Sequence, residues 1–279
     1  MLFVVATLGY TRAQTVYLTE NFDYSADSLL TNNGWYNHSG TSAPILVTNG
    51  GLSLSKTGYK GSGIGNAAAV NNTGYDVNKP FSSDATSGNV YASFLLKVNK
   101  VAPVTSSAYF FHFGQYSNPA SPVYTSLSSS FRARTHAFEG SDSTKFKLGL
   151  SFNGNTADGT TGELNIGETY LVVVKYAINS AGGTQDDSVS LYVFADGDDI
   201  SKEPATPTLG PFGGTAADIS SVQTVALRQY NSAQNYIVDG IIVQDNWDIA
   251  KATQSGKSTR TVKFSVDMSS ETISANGVH

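Results

Sequence analysis

The run Phe131-Arg-Ala-Arg-Thr-His-Ala-Phe138 carries the densest chemistry in the chain. Read with a period of two, Arg132, Arg134, His136 and Phe138 alternate with Phe131, Ala133, Thr135 and Ala137. One set then faces a core, and the other projects together from the outer face of a sheet. Two guanidiniums beside an imidazole suit carboxylates, sulfates or vicinal hydroxyls, which take forked hydrogen bonds. Rings are the second resource, because 15 Tyr, 14 Phe and 2 Trp are more than a core must absorb. The C–H faces of sugars stack on such rings. Trp35 and Tyr36, in the loop Trp35-Tyr-Asn-His38, and Tyr116 and Tyr124, flanking a Pro-bearing loop, are therefore the candidate ring contacts for a carbohydrate.

Carboxylates cluster in one turn. Asp196-Gly-Asp-Asp199 sets Asp196, Asp198 and Asp199 around a glycine, as calcium would require, although a solvated turn has the same composition. A second grouping is Glu20 and Asp23 near the first strand with Asp239 in the last, since the first and last strands of a sandwich are often neighbours. Catalytic constellations are missing. Glu139, Glu163, Glu168 and Glu203 each lie near a turn without a second carboxylate in the same strand. No Gly-x-Ser-x-Gly occurs, and Gly61-Ser-Gly-Ile-Gly65 is neither a nucleophile elbow nor a dinucleotide loop, because no strand–turn–helix unit surrounds it. The histidines at 38, 112, 136 and 279 have no helical i, i+4 pair to hold zinc. With no Cys there is no thiol nucleophile, disulfide or thiolate metal site. The expectation is a protein that is not an enzyme.

Alternating strands must position these groups. Val90, Ala92, Phe94, Leu96 and Val98 mark one face of a strand; Phe146, Leu148, Leu150 and Phe152 mark another. Further strands are expected at 16–22, 109–113, 131–138, 169–178, 188–194, 222–228 and 236–243. Turns such as Asn153-Gly-Asn155 and Asp196-Gly-Asp198 separate them, and no helical period is sustained. Such a series folds as an all-β protein, two antiparallel sheets packed as a jelly-roll sandwich. Residues 24–80, rich in Gly, Asn and Ser, read as long loops with short strands.

Of the 279 residues, 14% are charged and 40% hydrophobic, with a net charge of −5. A large core can form without disulfides, and an acidic chain is a poor fit for nucleic acid. Leu2–Leu8 is apolar but too short to span a bilayer. With Thr11 and Ala13 before Gln14, residues 1–13 read as a signal peptide without its usual positive start. No later segment reads as a transmembrane span. The sandwich is expected over 14–250, a polar linker over 251–260, and the start of a second β domain, cut short, over 261–279.

Several phrases resemble a known family. Glu20-Asn-Phe-Asp-Tyr24, Ser28-Leu-Leu-Thr-Asn-Asn-Gly-Trp35, His38-Ser-Gly40, Ser62-Gly-Ile-Gly-Asn66, Val225-Ala-Leu-Arg-Gln229, Val238-Asp-Gly-Ile-Ile-Val243 and Trp247 are similar to concanavalin A-like (laminin-G-like) jelly rolls. These occur in secreted multidomain surface proteins of Bacteroidetes-type bacteria. Val262-Lys-Phe-Ser-Val-Asp-Met268 is similar to the opening of immunoglobulin-like or starch-binding-like modules. The resemblance implies an accessory or adhesive module of a longer protein, secreted or on the cell surface. Jelly-roll glucanases of this architecture carry Glu-x-Asp-x-x-Glu on one strand, which this chain lacks. The leading reading is an extracellular module that binds a polysaccharide or cell-surface glycan, possessing calcium at most as a cofactor. A structural spacer or protein-interaction domain is the alternative, and a cryptic glycoside hydrolase the third.

Overall fold

The computed structural model describes residues 14–179, 182 and 184–251. The expected signal peptide (1–13), nearly all of the linker and the start of a second domain (261–279) lie outside the described residues. In chain order the strands are β1 (Val16–Glu20), β2 (Tyr36–Ser39), β3 (Leu46–Val47), β4 (Ala68–Val70), β5 (Asp76–Ala85), β6 (Gly88–Lys100), β7 (Tyr109–Gly114) and β8 (Arg132–Glu139). They continue with β9 (Lys145–Ser151), β10 (Gly159–Thr160), β11 (Leu164–Asn165), β12 (Thr169–Ile178), β13 (Ser188–Phe194), β14 (Leu209–Gly213), β15 (Val222–Leu227) and β16 (Asn235–Gln244). Among the described residues, no helix is long and apolar enough to cross a membrane.

The strands form two packed antiparallel sheets, a jelly-roll sandwich. One sheet runs β14-β13-β12-β6-β16-β4-β3, with β1 paired to β16; the other runs β10-β9-β8-β7-β15-β5-β2, with β11 on β9. The first strand therefore lies beside the last, with Glu20 opposite Ile241. Alternation dictates the core: Val90, Ala92, Phe94, Leu96 and Val98 point inward from β6, and Phe146, Leu148 and Leu150 from β9, with Phe152 just beyond it. The Phe94 and Phe111 rings meet across the sandwich at 4.6 Å. Burying each such ring is worth about 1.5–3 kcal/mol.

The outer faces of the two sheets differ, and this difference positions the candidate site. On the first sheet, Tyr91, Leu95, Leu171, Val173, Tyr192, Phe194 and Ile242 lie under Leu54, Tyr59, Ile200, Trp247 and Ile249 from covering loops. Both faces of that sheet are thus buried, which is why Leu171-Val-Val-Val174 is continuously apolar. The cover sits close. Gly240 has φ +56°, and a Cβ there would lie 2.4 Å from the Gly61 carbonyl oxygen. The second sheet keeps an outer face of Tyr, His, Arg and Phe.

The irregular stretch 24–80 contains the start of β5, a ten-residue strand that the pattern does not disclose. Its sequence, Asp-Val-Asn-Lys-Pro-Phe-Ser-Ser-Asp-Ala, is polar and carries Pro80. Pro80 is tolerated because it pairs Thr224 beside a register shift between Val222 and Thr224.

Candidate functional site on the outer face of the second sheet

The strand that holds the arginines does not alternate as its sequence suggests. Ala133 has φ +51°, and the β7–β8 register shifts there, between Phe111 and Phe113. This bulge turns one residue over. Ala133 and Ala137 reach the core, and Arg134, His136 and Phe138 face outward. Arg132 goes the other way. It is buried, with its guanidinium carbon 5.2 Å from the Phe152 ring centre and Nη2 donating to the Ala217 carbonyl at 2.6 Å. Arg132 is therefore corrected from an outward ligand contact to a brace at the end of the sandwich. Phe131, assigned inward by alternation, stacks on His112 at 4.1 Å on the outer side.

Arg134 acquires partners from other strands. Its guanidinium carbon lies 4.7 Å from the centre of Tyr109 and 5.5 Å from that of Phe131. Arg228, just after β15, lies 4.2 Å from the same Tyr109 ring and 5.5 Å from Tyr230. One phenol thus holds two guanidiniums, which would otherwise repel each other, by cation–π attraction. Arg228 donates to the Ser107 carbonyl at 2.7 Å and pairs with Asp76 at 3.7 Å. Arg134 Nη1 donates to Asn155 Oδ1 at 2.6 Å, and its buried Nε has no partner. Burial, with Arg228 and Arg132 nearby, lowers the Arg134 pKa.

Histidines form the floor. His112 and His136 are fully buried, under the rings of Phe131 and Phe138. Burial holds His112 well below the usual imidazole value, and it takes His136 down to about 3, with Arg134 and Arg228 adding to the effect. Half-buried His38 falls to about 4 for the same first reason. Hydrogen bonds assign the tautomers. His112 Nδ1 lies 3.0 Å from the Phe113 carbonyl, so it carries the proton. Ser151 donates to the Gly154 carbonyl and therefore accepts from His136 Nε2 at 3.0 Å. The histidine floor is thus neutral, and the positive charge of the stack above it is carried by the guanidiniums of Arg134 and Arg228.

The rings predicted for ligand contact divide. Tyr36 and Tyr124 approach to 4.8 Å, and Tyr124 to Tyr116 at 5.3 Å, at the end of the same face. Tyr124 is exposed, while Tyr116 is buried with its hydroxyl donating to Asn78 Oδ1 at 2.9 Å. Asn78 also bonds the Tyr124 carbonyl and His38, joining this group to the histidines. Trp35 is corrected: it is 1% exposed, stacked on Phe22 at 5.9 Å, and its Nε1 donates to Glu20 at 3.1 Å. It belongs to the core. Beyond Phe138 the face opens into a cleft of ≈ 370 Å³ lined by Pro103, Val104, Thr105, Thr156, Ala157 and Thr160.

Tyr109, His112, Phe131, Arg228 and Tyr230 were not singled out from the sequence. Thr224, Ala226 and Arg228 share the outward period of β15, so Arg228 was readable there. Tyr-Phe-Phe-His-Phe was not, because a register shift between Tyr109 and Phe111 breaks its period.

Neither predicted calcium grouping converges. Asp196 accepts from the amides of Ser55, Lys56 and Thr57 and from the Ser55 hydroxyl, clasping the covering loop. Asp198 accepts from Ala195 N and Asp199 from Ser201 N, so these carboxylates cap separate turn amides. Glu20 is ion-paired to Lys79 at 3.0 Å, Asp23 is exposed, and Asp239 accepts from Leu52 N and Gly240 N. Burial raises Asp239 to about 7. Among the described residues the acidic groups that do meet are Asp186, Asp187 and Asp218, with one oxygen of each within 4.8 Å of the others.

Neither the protein-family models nor the curated proteins contain a match to this chain. Solved structures resemble it at low sequence identity. The carbohydrate esterase vb_24B_21 of Shiga toxin-encoding bacteriophage phi24B is 17% identical with a TM-score of 0.45, over 84% of this chain and 100% of that one. An alginate lyase in complex with an alginate trisaccharide is 15% identical with a TM-score of 0.43, over 83% and 98%. Domain 4 of an extracellular arabinanase from Geobacillus stearothermophilus, in complex with arabinotriose, is 14% identical with a TM-score of 0.38, over 86% and 96%. The expectation that the chain is not an enzyme is corrected here, because an esterase and a lyase are among the structures it is similar to.

Proposed function

We propose that the outer face of the second sheet recognises carbohydrate, and that the glycan bears carboxylate or sulfate groups. The observation that carries this reading is the Arg134–Tyr109–Arg228 stack, flanked by the half-buried rings of Phe131, Phe138 and Tyr230. Guanidiniums grip an anionic substituent while rings accept the apolar face of a sugar. The histidine floor is neutral and holds the rings in place by stacking. The similar structures, which include an alginate lyase and an arabinanase domain, agree with a carbohydrate-related role without specifying it.

The setting we propose is extracellular, secreted or on a cell surface, with a polysaccharide or surface glycan as partner. A composition low in charge and rich in hydroxyls and amides supports it. A glycan array comparing acidic chains with neutral chains of equal length tests the reading, followed by chromatography of the bound glycans for cleavage. Selective retention of acidic chains is expected. Equal retention of the neutral chains, or of none, refutes it.

A further inference from the structure

We propose that Asp186, Asp187 and Asp218 form a divalent-cation site suited to calcium. Asp186 and Asp187 end the turn after β12, and Asp218 lies in the segment between β14 and β15. One carboxylate oxygen from each lies within 4.8 Å of the other two. Oxygens bound to one calcium at about 2.3–2.6 Å are at most about 5 Å apart, so this spacing fits a single shared ion.

A second observation points to a ligand. Asp218 is 7% exposed, and its Oδ1, shielded from solvent, has no hydrogen-bond partner. Its other oxygen accepts from Asp186 N at 3.3 Å. A carboxylate oxygen removed from water with no donor is unfavourable, and among the described residues no donor reaches it. Among the described residues neither Asp187 nor Asp218 forms an ion pair. Arg132, whose charge acts on the adjoining Tyr176, forms no ion pair with these carboxylates; its Nη2 donates to the Ala217 carbonyl and its guanidinium lies on the Phe152 ring. Asp187 is 1% exposed; it accepts from the Tyr176 hydroxyl at 2.6 Å and from Asn179 N at 2.8 Å. Those bonds orient it while leaving lone pairs free.

The donor chemistry selects the ion. An all-carboxylate set lacks the nitrogen or sulfur that zinc and copper favour. Magnesium, with ligands at about 2.0–2.1 Å in a strict octahedron, fits less well than calcium, which accepts irregular geometry and completes its shell with water. Exposed Asp186 leaves one side open for that water. Bound there, the ion ties the β12–β13 turn to the segment whose Ala217 and Ser220 receive hydrogen bonds from Arg132 and Gln115.

The test uses the full chain stripped with chelator and titrated separately with calcium and magnesium chloride, by calorimetry and thermal unfolding. We expect binding heat and a Tm that rises with calcium by mass action, with a smaller response to magnesium. Asp218→Asn should abolish the calcium response. Asp186→Asn, at the exposed rim, should keep the fold and weaken calcium roughly ten-fold, since affinity follows ligand charge. The proposal is overturned if stripped wild type shows neither heat nor Tm shift in millimolar calcium. It is equally overturned if folded Asp218→Asn, or Asp186→Asn should the first not fold, titrates as wild type does.

Discussion

Replacing Arg134 by Ala separates the recognition face from the fold that supports it. Inside the protein the change removes one hydrogen bond, to Asn155 Oδ1 at 2.6 Å, and the stacking of the guanidinium on Tyr109. It also relieves the repulsion from Arg228 and Arg132 that, after burial, depresses the Arg134 pKa. These effects oppose each other, so stability should change by no more than about 1 kcal/mol. A carboxylate-bearing ligand loses a charged hydrogen bond, worth about 1.5–3 kcal/mol, or roughly 10- to 150-fold in affinity. Titration calorimetry with a polyuronate oligosaccharide measures the loss, and thermal unfolding checks the fold. Arg132→Ala is the contrast. It leaves the Ala217 carbonyl without its donor and strips the face of Phe152, which should cost about 1–3 kcal/mol of stability and leave affinity intact. Wild-type affinity in Arg134→Ala, with affinity lost in a folded Arg132→Ala, would reverse the face assignment.

Trp35→Ala should destabilise by about 3–5 kcal/mol in denaturant unfolding, since it opens a cavity beside Phe22 and removes a donor from Glu20; Trp35→Phe, still folded, should bind glycan as wild type does. His136 should remain neutral in the folded protein down to pH 5, which its ring carbon shifts would report by NMR. Its folded pKa of about 3 lies below the unfolded 6.5, so its contribution to stability is complete above 6.5 and declines as pH falls toward 3, by about 1.4 kcal/mol per pH unit. A His136→Asn variant should show a shallower acid loss by that slope; an unchanged slope contradicts the assignment. Asp196→Ala should release the covering loop, seen as faster hydrogen exchange at Ser55, Lys56 and Thr57, and should leave any calcium response as in wild type.

Apolar patterning was sufficient to locate most of the long strands, though not β5. The runs at 90–98, 145–152, 169–178 and 236–243 coincide with β6, β9, β12 and β16 to within about two residues, because each strand must fill the inner face of the sandwich along its whole length. Composition likewise implied a large β core that needs no disulfide. Tertiary structure decided what local pattern does not encode. A single positive φ at Ala133 exchanges the faces of Arg132 and Phe131, and no residue type there announces it. The loops carrying Tyr59 and Trp247 close the outer face of one sheet and leave that of the other open, a choice made by packing between distant segments. Arg134 meets Arg228 across Tyr109, and Asp187 meets Asp218, only because strands remote in sequence become neighbours in space. Asp196, Asp198 and Asp199, adjacent in sequence, diverge because each carboxylate finds a nearer backbone amide.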